Sequence, residues 1–257
     1  MRTALTIAGS DSSGGAGIQA DLKTFAAHGI YGTTAITAIT AQSRSKVVCF
    51  EPVAPDLVAA QIEAIASDVS IDAAKTGMLA TAAIVTVVAD AIERNNIPYL
   101  VVDPVLVSTS GIPLLDASGI EAMRERLLRR AYVVTPNVPE AETLSGIAIR
   151  NDDDLMEAAR RIRQLGPSAV IVTGGHRPTA DIVDLLYDGE HFVEFHGERI
   201  EGKPTHGTGC TFAAALTAQL ALGRTLHDAV PLAQSYVADA IRHGEQGLNH
   251  FWRPSIY

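Results

Sequence analysis

Small residues, carboxylates and one thiol recur where apolar runs of this chain end, and the densest such cluster is His206-Gly207-Thr208-Gly209-Cys210-Thr211. It leads straight into the alanine-rich stretch Phe212–Leu222. Two glycines permit a tight turn that a ligand can approach closely. The first-turn amides of a helix starting there have no partner within the helix and lie at its positive dipole end. Such a turn binds anions. A thiol at a helix N-terminus can have its pKa lowered from about 8.5 to roughly 3.5–7.5, which makes Cys210 a candidate nucleophile or base. A glycine-softened helix start with a small buried cysteine accounts for the same six residues.

Asp103 stands between Val101-Val102 and Pro104, and Asn137 with Glu140 forms an Asn-x-x-Glu group after another apolar run. Hard oxygens of this kind suit Mg²⁺ held partly through water beside phosphates. The alternative is a strand-end turn acid and a capped helix, because Asn at the N-cap and Glu three residues later are good capping residues. Gln42, among Thr, Ala and Ile, can donate and accept at once, as recognition of an aminopyrimidine-like edge requires. Ala16, Met78 and Val105 add apolar surface for a flat ring, although a methionine near a strand end also suits a core.

Positioning these groups falls to alternating elements. Apolar runs predict strands at 3–8, 33–40, 70–75, 99–103, 131–135 and 169–174, and amphipathic periodicity predicts helices at 16–28, 55–68, 81–95, 117–129, 152–165, 209–222 and 226–243. This rhythm specifies βαβ units, hence an α/β fold with a mostly parallel sheet in one domain. Residues 181–196 break it with a turn at Asp188-Gly189 and read as a β-hairpin at one sheet edge. Ligands of such folds sit beyond the carboxyl ends of the strands. The segments there are Gly9–Gly17, Thr40-Ala-Gln42, Lys75–Met78, Asp103-Pro-Val105, Thr135-Pro-Asn137 and Thr173-Gly-Gly175, and they share one side with the anion turn.

Composition narrows the classes. The 257 residues are 47% hydrophobic but only 5% aromatic, which suits buried parallel strands under Ala-rich helices. A net charge of -9 argues against a nucleic-acid or anionic-membrane surface, so an anionic ligand needs a local site. Two cysteines, Cys49 and Cys210, form neither a disulfide framework nor a metal-finger spacing, and no apolar run approaches a membrane span. A reduced cytoplasmic protein is expected. Gly15-Ala-Gly-Ile-Gln-Ala20 matches GxGxxA, but its glycines come late after the strand, and residues 35–40 lack the ribose-binding acid. That excludes a dinucleotide site; a GxxxxGK[ST] phosphate loop is also absent.

The ordered motifs Ile7–Lys23, Thr40-Ala-Gln42, Lys75-Thr-Gly-Met78, Val102-Asp-Pro-Val105, Thr135–Glu142, Val172-Thr-Gly-Gly-His176 and His206–Thr211 resemble a known family. It comprises the hydroxymethylpyrimidine and phosphomethylpyrimidine kinases of thiamine biosynthesis, in the ribokinase-like superfamily. Sugar kinases of that superfamily typically carry Asp where Cys210 stands. The resemblance implies a three-layer α/β/α fold with helices on both sheet faces, a homodimer, and transfer of the γ-phosphoryl of ATP with Mg²⁺. The acceptor would be 4-amino-5-hydroxymethyl-2-methylpyrimidine, then its monophosphate. By the same resemblance Gln42 binds the pyrimidine and Gly9, Ala16, Met78 and Val105 line its pocket. Asp103 and Glu140 serve the metal, and Asn137, Thr173 and Gly175 the nucleotide. The amides of Gly207, Thr208, Gly209 and Cys210 form the anion hole, and the Cys210 thiol is an optional base where other branches use a carboxylate. The chain departs from the pattern at Gln234, where many members have Lys, and at Gln246–His250, where a Gly-His-Gly-Pro is usual. Related vitamin B6 kinases share the cysteine, so a pyridoxine or pyridoxal kinase and a non-catalytic pyrimidine-binding module are the other readings. Lys203-Pro-Thr is the expected gate.

Overall fold

Leu100-Val101-Val102 is a run of aliphatic residues buried on both faces, and a strand of that kind needs a layer of helices on each side. The structure is a computed structural model that describes residues 1–108, 110–174, 181–201 and 206–251. Its nine strands are β1 (Thr3–Asp11), β2 (Tyr31–Gln42), β3 (Val47–Pro52), β4 (Ala73–Thr76), β5 (Leu100–Val102), β6 (Val133–Val134), β7 (Ala169–Val172), β8 (Asp181–Tyr187) and β9 (Phe192–Glu198). They form one sheet in the order β3-β2-β1-β4-β5-β6-β7-β8-β9. β1, β2 and β4 to β7 run parallel, while β3 and the β8–β9 hairpin are antiparallel.

The helices are α1 (Gly17–Ala27), α2 (Pro55–Asp68), α3 (Ala82–Arg94), α4 (Ala117–Ala122), α5 (Val138–Ser145), α6 (Asp152–Gln164), α7 (Thr208–Ala221) and α8 (Leu226–Arg242). Val58 and Ile62 of α2, Ile84 and Val88 of α3, and Leu155 and Ile162 of α6 bury against one sheet face. On the other face Ala213, Leu216 and Leu220 of α7 meet Val101, Val133 and Ile171, while Phe25 of α1 packs with Ala214 and Ala218. The result is the three-layer α/β/α arrangement. Helix α7 is buried along nearly its whole length because α1, α8 and the sheet enclose it, which explains why its sequence is apolar all round.

Two elements differ from the sequence reading. β3 is an added edge strand paired to β2, and α5 is a helix of eight residues between β6 and α6. The 117–129 segment does form helix, but it passes through a π turn at Met123–Leu127 and a 3₁₀ turn at Leu128–Arg130. No helix among the described residues is long and apolar enough to cross a membrane.

Candidate active site

All six parallel strands deliver their carboxyl ends to one edge of the sheet, and α7 begins there. Gly207 is its N-cap at φ 86°, and a Cβ at that position would lie 1.9 Å from the carbonyl oxygen of Gly15. Only glycine fits. Gly17 is held the same way at φ 56°, where a Cβ would sit 2.3 Å from Gly9 O. The turn that opens α7 and the glycine-rich loop after β1 thus pack backbone to backbone. Gly209 has open space on its outer side, so the turn faces a cleft of about 740 Å³. Gly9, Ala16, Gln42, Met78, Asp103, Val105, Asn137, Glu140, Thr173 and residues 207–210 all line it. Gly175 and the Lys203-Pro-Thr gate lie outside the described residues.

Asp103 follows β5 and is almost fully buried, with its Oδ2 lacking any hydrogen-bond partner. Burial raises its pKa to about 6, against the pull of nearby Lys75 and a hydrogen bond from Cys210. Glu140 is pushed further, to about 8, by burial and then by the neighbouring Asp103 charge. Two carboxylates with too little positive charge between them suit a divalent cation. Among the described residues no group of three or more His, Cys, Asp or Glu is arranged to hold a metal, so phosphate and water oxygens would complete the shell. Glu140 also accepts from Asn137 N–H at 3.0 Å while Asn137 Oδ1 accepts from Glu140 N–H at 3.0 Å. The capping box and the cleft use the same two side chains.

Cys210 corrects one expectation. Burial first, then Asp103 and Asp21, drive its pKa up to about 12 although Lys75 and a Gly17 N–H contact oppose them. Burial first, and the adjacent carboxylates with it, oppose a thiolate at the helix start. Lys75 itself is fully buried, 3.0 Å from both oxygens of Asp21, which in turn accepts from Thr6 Oγ1 at 2.6 Å. Burial disfavours the ammonium, but Asp21, Cys210 and Asp103 prevail and hold its pKa above the usual lysine value.

Sequence reasoning missed Asp11, the hub of the β1–α1 loop. Its carboxylate accepts from Ser13 N–H at 2.8 Å, Ser13 Oγ at 2.9 Å, Gly15 N–H at 3.1 Å and Ala16 N–H at 2.8 Å, and lies 3.2 Å from His206 Nε2. Burial would raise its pKa, yet His206, Ser13 and Ala16 together bring it to about 2. His206 Nε2 is also 3.3 Å from Gln42 Nε2, so Gln42 and the segment leading into α7 meet at one imidazole. The clue was Asp11 opening a Ser/Gly-rich loop, a position where carboxylates collect backbone amides.

The model of the phosphomethylpyrimidine kinase family matches residues 11–253. The chain belongs to the phosphomethylpyrimidine kinase family. A hydroxymethylpyrimidine/phosphomethylpyrimidine kinase of Bacillus subtilis is 45% identical over 255 residues, covering 96% of this chain and 94% of that protein. A pyridoxine kinase of the same organism is 43% identical, covering 99% and 95%. The pyridoxal kinase of Staphylococcus aureus in complex with AMP-PCP and pyridoxal superposes with a TM-score of 0.91 at 38% identity, over 100% of this chain and 96% of that one. The chain is a phosphotransferase of thiamine biosynthesis with a ribokinase-like fold.

Gln234, where the sequence departs from the expected pattern, lies against the edge hairpin. Gln234 of α8 donates to Asp184 Oδ2 at 2.8 Å and to Phe195 O at 3.1 Å, while Asp184 Oδ1 accepts from Gly174 N–H at 2.8 Å. Thr173 pairs with Asn137 across the loops that follow β7 and β6. A neutral amide therefore ties α8 to the edge hairpin. Asp184 keeps a raised pKa, chiefly through burial.

Proposed function

We propose that the cleft transfers the γ-phosphoryl of ATP, with Mg²⁺, to the hydroxymethyl group of 4-amino-5-hydroxymethyl-2-methylpyrimidine and then to the resulting monophosphate. The supporting observation is the α7 anion turn lying in one cleft with Asp103, whose buried oxygen has no partner. Phosphoryl transfer passes through a loose transition state, so positioning and charge stabilisation dominate. In this reading the amides of 207–210 cradle the transferred group, each comparable to an oxyanion donor of about 2.7–4 kcal/mol. Asp103 and Glu140 hold Mg²⁺, which supplies charge neutralisation on the phosphates. Asn137, Thr173 and Gly175 contact the nucleotide. Gln42 pairs with the pyrimidine edge between Gly9, Ala16, Met78 and Val105. The protonated Cys210 thiol adds little as a base, and a loose transition state asks for little.

Residues 1–257 act as one kinase domain in the cytoplasm. Ile39 is 61% exposed and Val48 65%, on β2 and the edge strand β3, which favours a homodimer formed there. Purified protein with ATP, Mg²⁺ and hydroxymethylpyrimidine yields both mono- and diphosphate; loss of either product overturns the two-step form. The similarity to a pyridoxine kinase favours one second reading, and the ratio of kcat/KM for hydroxymethylpyrimidine and pyridoxal decides between them. Calorimetry that found pyrimidine binding without ATP binding would instead support a non-catalytic module.

A further inference from the structure

The segment after α8 folds back behind the anion turn. Asn249 N–H donates to Ala240 O at 2.9 Å, and Tyr236 Oη donates to His250 O at 2.6 Å. These bonds carry the His250 side chain inward until only 2% of the residue is exposed. Its Nε2 lies 3.1 Å from Thr211 Oγ1, and that hydroxyl donates to Gly207 O at 2.8 Å. Thr211 N–H bonds the same carbonyl at 2.9 Å. Thr211 directly follows Cys210, and Gly207 is the N-cap of α7.

We infer that His250 is a positioning residue for the anion turn, acting through the Thr211 hydroxyl on the Gly207–Thr208 peptide. A hydroxyl has one proton and two lone pairs. His250 Nε2 at 3.1 Å and Gly207 O at 2.8 Å flank the Thr211 hydroxyl, so the imidazole holds that hydroxyl in place beside the Gly207 carbonyl. That oxygen and the Thr208 N–H belong to one planar peptide, so fixing the first aims the second toward the N-terminal end of the helix, where the cleft lies. Burial, together with the nearby Lys23 charge, holds the His250 pKa down to about 4, so the imidazole is neutral. Cys210 and the carboxylates remain on the cleft side, and His250 touches none of them among the contacts described.

The inference rests on the reading of residues 207–210 as the phosphate cradle. It is tested by steady-state kinetics of wild type, His250→Phe, His250→Gln, Thr211→Val and the His250→Phe/Thr211→Val double variant, with thermal unfolding of each. His250→Phe is expected to lower kcat about 10- to 100-fold, as small misplacements of positioning groups do, with KM for the pyrimidine within about twofold. His250→Gln, whose amide can donate to the same hydroxyl, restores most of the loss. Thr211→Val reproduces it, and the double variant is no worse than either single one. A folded His250→Phe with wild-type kcat overturns the inference, as do losses that multiply in the double variant. Should His250→Phe fail to fold, an unchanged kcat in Thr211→Val overturns it equally. If the wild type turns over neither pyrimidine, the proposed function falls, while calorimetry with AMP-PNP still tests His250: equal affinities in wild type and Thr211→Val refute it, and an affinity at least about tenfold weaker in the variant supports it.

Discussion

Asp103 is ionised at neutral pH at a cost to the empty protein, and this has a measurable sign. Its folded pKa of about 6 lies above the unfolded value of 3.8, so its contribution to stability is full below pH 3.8 and declines as pH rises through 6. Asp103→Asn keeps the shape and removes that penalty. It is expected to stabilise the ligand-free protein by roughly 1–3 kcal/mol at pH 8, with the gain vanishing near pH 4, while kcat falls at least about 100-fold. Thermal melts across pH together with turnover check both halves. For Cys210, a pKa of about 12 predicts a mild phenotype: Cys210→Ala should keep kcat within about tenfold, whereas a true general base is worth about 10²–10⁴. A larger loss would restore the thiol as base. The identities of these side chains were legible in the sequence, because Asp after Val-Val and Cys at a Gly-x-Gly helix start are local patterns. Their ionisation was not, since it depends on Lys75, Asp21 and Asp103 meeting across three elements.

The elements that carry the site obeyed local chemistry where the signals were local. The Asn137/Glu140 capping box, the start of α7 at Gly207 and the β8–β9 hairpin all follow from residues a few positions apart. β3 did not, because Val47–Pro52 contains exposed Glu51, Cys49 and Val48 with no clean alternation; its partner β2 makes it a strand. β6, at two residues, is long enough only because β5 and β7 flank it. Gly207→Ala is the sharpest test at this scale, since a Cβ there collides with Gly15 O at positive φ. The variant should lose about 2–3 kcal/mol or more of stability and at least about 100-fold in kcat, with unfolding midpoints and single-turnover rates as the readouts. Gly209→Ala, with open space at its Cβ, should leave stability nearly unchanged.

Across the whole molecule, the mostly parallel sheet was readable from the βαβ rhythm, the two helical layers followed from the resemblance, and the cleft lies at the carboxyl edge of that sheet. The pairing of the edge strand β3 to β2 was not. Val48→Lys adds a charge to that exposed strand and should shift a homodimer toward monomer in sedimentation velocity without lowering the melting midpoint of the monomer by more than about 0.5 kcal/mol equivalent. An unchanged sedimentation coefficient in a dimeric protein would move the interface elsewhere.

Asp11 and His206, which touch at 3.2 Å, are 195 positions apart in the chain. The loop after β1 completes its hydrogen-bond set only when these two distant parts of the chain meet, so this contact is expected to be among the late ones in folding.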